Sequence, residues 1–238
     1  FRPGLRAWTN KLGLPNPGIN HLLNLKREHV QGRILSIHGF NDQEWDELLV
    51  AAKIAAKNDL CGLELNISCP NVGHLSVPPW LFRRAQETGI PVIAKLPPVN
   101  YWDTFRLAYD EGVRVFHCCN TLPVPAGGMS GKPLMRVSLD VIKRIKDSYP
   151  EAKIIGGGGI TDPDDIDAYF NAGASHFAVG SLLLRPTFWI SLFRDKRLFA
   201  LSARADELWS GVLRKHLETH RLEWVKRPDA DGKIIKLQ

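Results

Sequence analysis

Polar and nucleophilic side chains follow an apolar run in the stretch "LELNISCPNV". Asn66, Cys69 and Asn71 come within a few residues of the end of that run. Amide side chains offer both hydrogen-bond donors and acceptors, and a thiol in a rim loop can exchange a proton with a bound ligand. Taken singly, Cys69 also fits a small buried hydrophobe. The stretch therefore indicates recognition of a polar ligand combined with proton transfer, with a core role for the thiol as the alternative.

Two further strand-like runs end in residues that could do chemistry. Lys95 interrupts "VIAKLPP", where a buried strand would otherwise be wholly apolar. A lysine inside a fold is costly unless it meets an anion or an electron-rich ring, although a strand-end lysine can also extend its amine to solvent. The run "VRVFHCC" is followed by Asn120 and Thr121, which add an amide and a hydroxyl.

Glycines follow the last two strand-like runs. "KIIGGGGITDPDDIDAYF" places Gly158 and Gly159 before a helix start, and "HFAVGSLLLRP" supplies Gly180 and Ser181. Glycine lets backbone N–H groups approach an anion closely, and a helix N-terminus adds a favourable dipole. Two such loops after adjacent strands predict a phosphate-bearing cofactor or substrate rather than two tight turns.

A third glycine-rich stretch, "GGMSGKPL", begins with Gly127 and Gly128. We expect a loop here, either a simple connector or a close approach to a flat ligand. The residues themselves leave these two readings open.

The elements that must position these residues alternate regularly along the chain. Segments with helical spacing separate six short apolar runs. In "NDQEWDELLVAAKIAAKN", for example, Asn41 or Asp42 can cap the helix, and Leu48, Leu49, Ala52 and Ala55 form an apolar face. Short, nearly continuous apolar runs are typical of a parallel sheet buried on both faces, so we predict an α/β fold. The six runs span residues 33–39, 62–68, 91–96, 113–119, 153–157 and 176–180.

We expect the six βα units to belong to a TIM (β/α)8-type barrel. Such a barrel typically needs about 250 residues, and the opening "FRPGLRAWTNKLGLPNPGIN" reads as a loop with no strand before it. We therefore expect two strands to be missing from the front, and an open doubly wound sheet is the alternative. In a parallel barrel the catalytic groups lie at the carboxyl ends of the strands, where each residue named above is placed.

The 238-residue composition is that of one globular domain, with a barrel core over 1–184 and a helical region with a basic tail over 185–238. The formal net charge is +6, but the sequence contains no nucleic-acid-binding motif. We therefore expect no nucleic-acid partner. No apolar run reaches the roughly 18 residues of a membrane span, and no secretion-signal core opens the chain. We expect a soluble protein.

The cysteines and histidines show no metal-binding pattern. Cys61, Cys69, Cys118 and Cys119 contain no C-x-x-C pair, so neither a disulfide framework nor a structural zinc site is predicted. Cys61, Cys118 and Cys119 are expected in the core. A reducing compartment, and hence the cytoplasm, fits this cysteine usage.

Taken together, the motifs resemble those of the dihydroorotate dehydrogenases, flavin-dependent barrels of pyrimidine biosynthesis. The matching pieces occur in the family's order from about Asn10 to Leu183: "NKLGLPNPG", "LNISCPNV", "AKLPP", "CNT", "GGMSG", "IIGGGGI" and "AVGSLL". "SCPN" is similar to the forms whose base is a cysteine, which are soluble. The family's first two strands have no counterpart in the sequence.

The resemblance implies roles for the residues. It implies that Cys69 removes a proton from C5 of dihydroorotate while a hydride passes from C6 to FMN, and that Lys95 lies beside the flavin ring. The side chains implied to surround the pyrimidine are Asn10, Asn66, Asn71, Asn120 and Thr121. The glycine-rich residues implied to contact FMN are Gly127 and Gly128 at the ring, with Gly158, Gly159, Gly180 and Ser181 at the phosphate.

Two other functions are compatible with the sequence. Reductive pyrimidine dehydrogenases share "SCP" but normally carry His at the position of Asn71, which favours dihydroorotate. A shortened, non-catalytic barrel acting as an interaction protein is the second. The electron acceptor (fumarate, a quinone or a partner subunit) and the oligomeric state, a homo-oligomer included, are left open by the resemblance.

Overall fold

Six parallel strands form the central sheet of the protein. The computed structural model describes residues 7–12, 14–68, 77–183 and 197–224, with side chains of the last range described over 198–215. The strands of the described residues are β1 (Ala7–Asn10), β2 (Ile34–Ile37), β3 (Gly62–Leu65), β4 (Val92–Leu96), β5 (Val115–Cys118), β6 (Leu122–Val124), β7 (Gly127–Gly131), β8 (Lys153–Gly157) and β9 (His176–Ala178). All six predicted apolar runs are confirmed as strands; β8 has the predicted bounds and the other five are shorter than predicted.

Helices separate these strands along the chain. The described helices are α1 (Ile19–Leu23), α2 (Arg27–Val30), α3 (Asp42–Ala55), α4 (Leu81–Gln86), α5 (Trp102–Asp110), α6 (Lys132–Ser148), α7 (Pro163–Asn171) and α8 (Arg197–Trp224). A 3-10 turn, Ala56–Asn58, continues α3.

The order of the strands in the central sheet decides between the two predicted architectures. The strands lie in the order β2-β3-β4-β5-β8-β9, and each neighbouring pair is parallel. The order follows the chain without reversal, whereas a doubly wound sheet reverses its strand order at a switch point. The described residues therefore form part of a (β/α)8-type barrel, and the barrel prediction is confirmed.

Local sequence signals fix several helix starts. The side chain of Asn41 accepts a hydrogen bond from the backbone N–H of Glu44, and Glu44 in turn accepts one from the N–H of Phe40. These reciprocal bonds satisfy N–H groups that a helix start leaves unpaired. Asp162 caps α7 in the same way, with Pro163 following it at the first turn. For α3, where the sequence offers Asn41 or Asp42 as the cap, the structure selects Asn41.

The expected loops at the start of the chain and at "GGMSG" are wrong in part. β1 and β7 pair antiparallel, and β7 also pairs with β6, so a small three-stranded sheet forms above the barrel. Glycine is depleted in strands because it packs no side chain, so the sequence of β7 carries no strand signal. Its conformation comes instead from backbone pairing on both sides.

The core lies between the sheet and its surrounding helices. All four residues of β3 are buried, and α6 presents a buried stripe of Leu134, Ser138, Val141, Ile142 and Ile145. Cys118 and Cys119 are buried as predicted, whereas Cys61 is exposed, contrary to prediction. Cys61 precedes β3 at the amino-terminal edge of the sheet, where the chain has not yet entered the core.

The helix α8 packs against α7 on the outside of the barrel. Leu201 is buried, and the Arg204 guanidinium donates to Asp167 with an N–O distance of 2.8 Å. The predicted division between a barrel core over 1–184 and a C-terminal region over 185–238 stays a prediction. Among the described residues, no helix combines the length and apolar character needed to cross a lipid bilayer.

Candidate active site

Two of the predicted asparagines meet at the carboxyl end of the sheet. Asn66 follows β3 and is buried, and the Asn120 amide donates to its side-chain oxygen at 2.9 Å. The same amide nitrogen of Asn120 lies 3.1 Å from the Ser68 hydroxyl. The Asn120 oxygen accepts from the backbone N–H of Thr121 at 2.8 Å. Predicted ligand-binding side chains that are 54 residues apart in the chain are thus in direct contact.

The small antiparallel sheet brings a third predicted asparagine to the predicted ring-contacting glycines. Asn10 on β1 is paired with Gly128 on β7. A side chain at Gly127, whose φ is +112°, would collide with the carbonyl group of Asn10. Only glycine permits this close approach of two backbones at that φ. Asn10, Gly127 and Gly128 are therefore held together by backbone contacts.

The glycines after β8 fit tightly against the start of α6. Gly158 and Gly159 have φ of +110° and +74°, and a Cβ on Gly159 would lie 2.7 Å from the carbonyl oxygen of Gly131. The Tyr169 hydroxyl donates to the carbonyl oxygens of Gly157 and Gly158, both at 2.8 Å. Burial raises the pKa of Tyr169, so it remains a neutral donor. The hydroxyl of Tyr169 on α7 therefore holds this loop in one conformation.

An ion pair joins the starts of the two helices beside this loop. Lys132, the first residue of α6, pairs with the buried carboxylate of Asp165 in the first turn of α7. Asp165 also accepts from the backbone N–H of Thr161 at 2.8 Å. Two helix N-termini and one glycine loop are therefore fixed relative to each other, an arrangement suited to binding an anion.

The second predicted phosphate loop lies next to the first. β9 pairs with β8, with Ala178 opposite Gly157, and Gly180 and Ser181 follow β9. A Cβ on Gly180 would have no atom within 4 Å. The Gly180 backbone therefore faces open space, unlike that of Gly159.

Lys95 lies in a cluster of polar side chains inside the barrel, one layer below the asparagines. We call Ser36, Glu64, Lys95 and His117 the interior polar cluster; they come from β2, β3, β4 and β5 in turn. The Glu64 carboxylate accepts from the Ser36 hydroxyl at 2.8 Å and lies 2.6 Å from Nδ1 of His117. The Lys95 ammonium lies 3.5 Å from the same carboxylate.

The Glu64 carboxyl stays ionised in this setting. Burial alone would raise its pKa, but the hydrogen bond with His117 and the charges of Lys95 and His117 outweigh burial and lower the pKa to about 2. A carboxylate only accepts hydrogen bonds, so Nδ1 of His117 must carry the proton between them. The cluster is a buried anion with three donors around it.

Sequence reasoning missed Glu64 and gave His117 no role, because the histidines show no metal-binding pattern. A signal was present, because Glu64 interrupts "LELN" as Lys95 interrupts "VIAKL". Among the described residues, no group of three or more acidic, histidine or cysteine side chains could hold a metal ion. Cys69 and Asn71, predicted as base and ligand contact, lie outside the described residues.

Cys118, the last residue of β5, and the following Cys119 belong to the core. Cys118 and Cys119 are buried. The hydrogen bond with Cys119 and burial raise the pKa of the Cys118 thiol well above its usual range. Cys118 is therefore a core residue, as its position within a strand predicted.

Comparison with known proteins adds the family to this geometry. The model of the family described as dihydroorotate dehydrogenase matches residues 4–192. The chain belongs to the dihydroorotate dehydrogenase family. The match includes every site residue named above, from Asn10 to Ser181.

Its relatives in the family are distant in sequence. A "Dihydroorotate dehydrogenase B (NAD(+)), catalytic subunit" of Fusobacterium nucleatum is 31% identical over 201 residues, covering 72% of this chain and 65% of the relative. A "Dihydroorotate dehydrogenase A (fumarate)" of Lactobacillus delbrueckii is 27% identical over 203 residues, covering 72% and 65%. The chain thus spans slightly less than two thirds of the length of the curated relatives it matches.

Solved structures of the same family share the fold. The ligand-free dihydroorotate dehydrogenase of Eimeria tenella superposes with a TM-score of 0.68 at 17% identity, covering 88% of this chain and 72% of that one. The complex of the Eimeria tenella enzyme with ferulenol gives 0.62 at 18% identity, covering 76% and 64%. These likenesses independently support the barrel architecture.

Replacing Glu64 should change how stability depends on pH. A folded pKa of about 2 against an ordinary 4.5 corresponds to on the order of 3 kcal/mol of stability that is present above pH 4.5. This contribution is lost as the pH falls through 4.5 towards 2. Glu64→Gln should therefore be less stable than the wild type at pH 7, and the difference should shrink at pH 3. Urea unfolding at both pH values measures it.

The exposed Glu47→Gln is the control for this experiment, because Glu47 lies on α3 outside the interior polar cluster. It should change stability by less than about 0.5 kcal/mol at either pH. An undiminished gap between Glu64→Gln and wild type at pH 3 would contradict the assigned ion cluster.

The two predicted phosphate loops should respond differently to added side chains. Gly159→Ala should lower the free energy of unfolding by more than about 1 kcal/mol, because its φ is positive and its Cβ would lie 2.7 Å from backbone. Gly180→Ala is the matched control, since its Cβ meets no atom within 4 Å. Thermal and urea unfolding compare them. Equal stabilities for the two variants would show that the first loop is not tightly packed.

Proposed function

We propose that this chain is an FMN-dependent dihydroorotate dehydrogenase that oxidises dihydroorotate to orotate in pyrimidine biosynthesis. The observation that carries the proposal is the hydrogen-bonded pair Asn66 and Asn120 at 2.9 Å. The pair lies at the same sheet edge as Lys95 and the glycine loops. Family membership supports the reaction class. Because the chain spans about two thirds of its relatives, the activity is a property to be measured on this chain.

The residues present fit FMN. An anionic phosphate suits the glycine loops, because Gly158 and Gly159 lie beside the start of α6 and Gly180 borders open space. Ser181 adds a hydroxyl donor beside Gly180. Lys95, Gly127 and Gly128 are the residues that would contact the flavin ring. When bound, FMN supplies the hydride acceptor for carbon 6 of the substrate.

The asparagines fit a flat pyrimidine acid. An amide presents one acceptor and two donors and carries no net charge, so several of them can match alternating C=O and N–H groups without repelling the orotate carboxylate. Asn10, Asn66 and Asn120 have these properties, and Thr121 adds a hydroxyl beside them. We assign Asn71 to the same role from its place in "SCPN".

Proton removal is assigned to Cys69. The thiolate is the basic form of cysteine, and C5 of dihydroorotate carries the proton that must leave as the hydride departs from C6. The neighbouring amides would hold the substrate so that this proton faces the thiol. Asn71, in place of the His that pyrimidine dehydrogenases normally carry, favours dihydroorotate over a dihydropyrimidine.

No single feature of the site identifies the electron acceptor. The relatives named above include one designated for fumarate and one designated as the catalytic subunit of an NAD(+)-linked enzyme. Fumarate and a partner subunit that passes electrons onward are therefore the acceptors to test first, with a quinone as the third. We propose a cytoplasmic location on the cysteine usage.

Purified chain incubated with FMN should retain the flavin after gel filtration, and anaerobic dihydroorotate should bleach its visible absorbance. Orotate should bind to the loaded protein and uracil should not. Binding of uracil without orotate would favour a pyrimidine dehydrogenase. A chain that takes up no FMN would support the alternative of a non-catalytic barrel.

Cys69→Ser should slow flavin reduction by dihydroorotate by about 100-fold or more near neutral pH, because a serine hydroxyl is the poorer base. Stopped-flow absorbance measures the reduction rate at saturating substrate. Cys61→Ser is the matched control, since Cys61 is exposed and precedes β3. The flavin of Cys61→Ser should be reduced by dihydroorotate at the wild-type rate. Equal rates for the wild type and Cys69→Ser would remove Cys69 from the role of base.

A further inference from the structure

Two ionisable residues of the interior polar cluster, Glu64 and His117, have no part in the function proposed above. Both are close to Lys95. The side chains are 10% exposed for Glu64, 13% for His117 and 21% for Lys95. Groups buried to this degree interact through a medium far less screening than water. Their arrangement must therefore affect the charge that Lys95 presents to a ligand.

The bonds within the cluster are unequal. Glu64 is held at 2.8 Å by Ser36 and at 2.6 Å by His117, one partner for each carboxylate oxygen. Lys95 lies at 3.5 Å, beyond the usual 2.7–2.9 Å of a charge-assisted bond. The carboxylate is therefore fixed by Ser36 on β2 and His117 on β5. It attracts the ammonium without engaging it in a tight hydrogen bond.

The register of the sheet explains this spacing. Ser36 is opposite Glu64 across β2 and β3, and Lys95 is opposite His117 across β4 and β5. The remaining neighbour is Gly157 on β8, where a Cβ would lie 3.1 Å from Nε2 of His117. Glycine at this position leaves the imidazole room to lean towards Glu64. The titratable groups facing the carboxylate in the cluster are Lys95 and His117.

We propose that Glu64 is the counter-charge of Lys95 and that His117 is a positioning residue that holds Glu64 back from the ammonium. Lys95 is then only partly neutralised and keeps N–H donors for the electron-rich edge of the flavin. The pair sets how strongly the site stabilises negative charge on reduced FMN. This assignment rests on the proposed flavin function for its consequence, but its electrostatic core can be measured without flavin.

The proposal predicts opposite effects for two variants. Glu64→Gln removes the counter-charge and leaves Lys95 a bare cation. His117→Leu frees one carboxylate oxygen of Glu64 to move closer to Lys95. The carboxylate then offsets more of the Lys95 charge. A general loosening of the site would instead change the reactivity of Lys95 in the same direction in both variants. His117→Asn is the conservative variant, because its amide nitrogen can occupy the position of Nδ1 and donate to Glu64.

The first measurement uses the flavin-free protein. The acetylation rate of Lys95 by acetic anhydride is followed at fixed pH by mass spectrometry, with the surface lysines as internal references. Glu64→Gln should react at least about threefold faster, because the carboxylate that holds the ammonium at 3.5 Å is gone and the side chain is more often free to react. His117→Leu should react more slowly than wild type, and His117→Asn should match it.

The second measurement uses the FMN-loaded protein, in which the flavin midpoint potential is determined against reference dyes. Glu64→Gln should shift the potential to more positive values and His117→Leu to more negative values. In a Lys95→Gln background both shifts should become smaller, because Glu64 and His117 act through Lys95. Glu111→Gln is the control, since Glu111 pairs with Arg83 at 3.0 Å after α5, outside the cluster.

The outcomes separate this inference from the proposed function. Acetylation that is unchanged in Glu64→Gln, or accelerated in both Glu64→Gln and His117→Leu, overturns the inference whether or not FMN binds. Potential shifts of equal size with and without Lys95 also overturn it. Failure to oxidise dihydroorotate, with the acetylation pattern as expected, would defeat the proposed function alone.

Discussion

Parallel pairing of the six barrel strands is the constraint on which the site depends. The carboxyl ends of parallel strands meet at one edge of a sheet, so residues that follow different strands are gathered there whatever their distance in the chain. Asn66 and Asn120 bond to each other for this reason, and Gly180 lies beside the loop of Gly158. The chemistry of the site therefore follows from topology before any side chain is considered.

Alternation along each strand adds a second layer below that edge. Glu64 and Asn66 are two residues apart and face the same side of the sheet, as do Ser36 and His38. The upper layer provides neutral amides suited to a polar ligand, and the lower layer contains the ionised groups around Glu64. Separating charge from the amides predicted to bind a ligand lets the barrel adjust an electrostatic field without placing a carboxylate among those amides.

Much of this arrangement is readable from the sequence, and the failures have physical causes. The six strands, the caps at Asn41 and Asp162 and the meeting of Asn66 with Asn120 follow from apolar runs and capping residues. The strands at Ala7–Asn10 and Gly127–Gly131 do not, because they depend on pairing with each other rather than on local propensity. Glu64 was overlooked because its partners come from three other strands.

The pairing of Asn10 with Gly128 joins segments roughly 120 residues apart, so a large loop must close before it can form. Contacts between neighbouring βα units close far shorter loops and can form earlier. The barrel wall is therefore expected to assemble before the small antiparallel sheet above it. A folding chain would form the parallel sheet first and the pairing of β1 with β7 last.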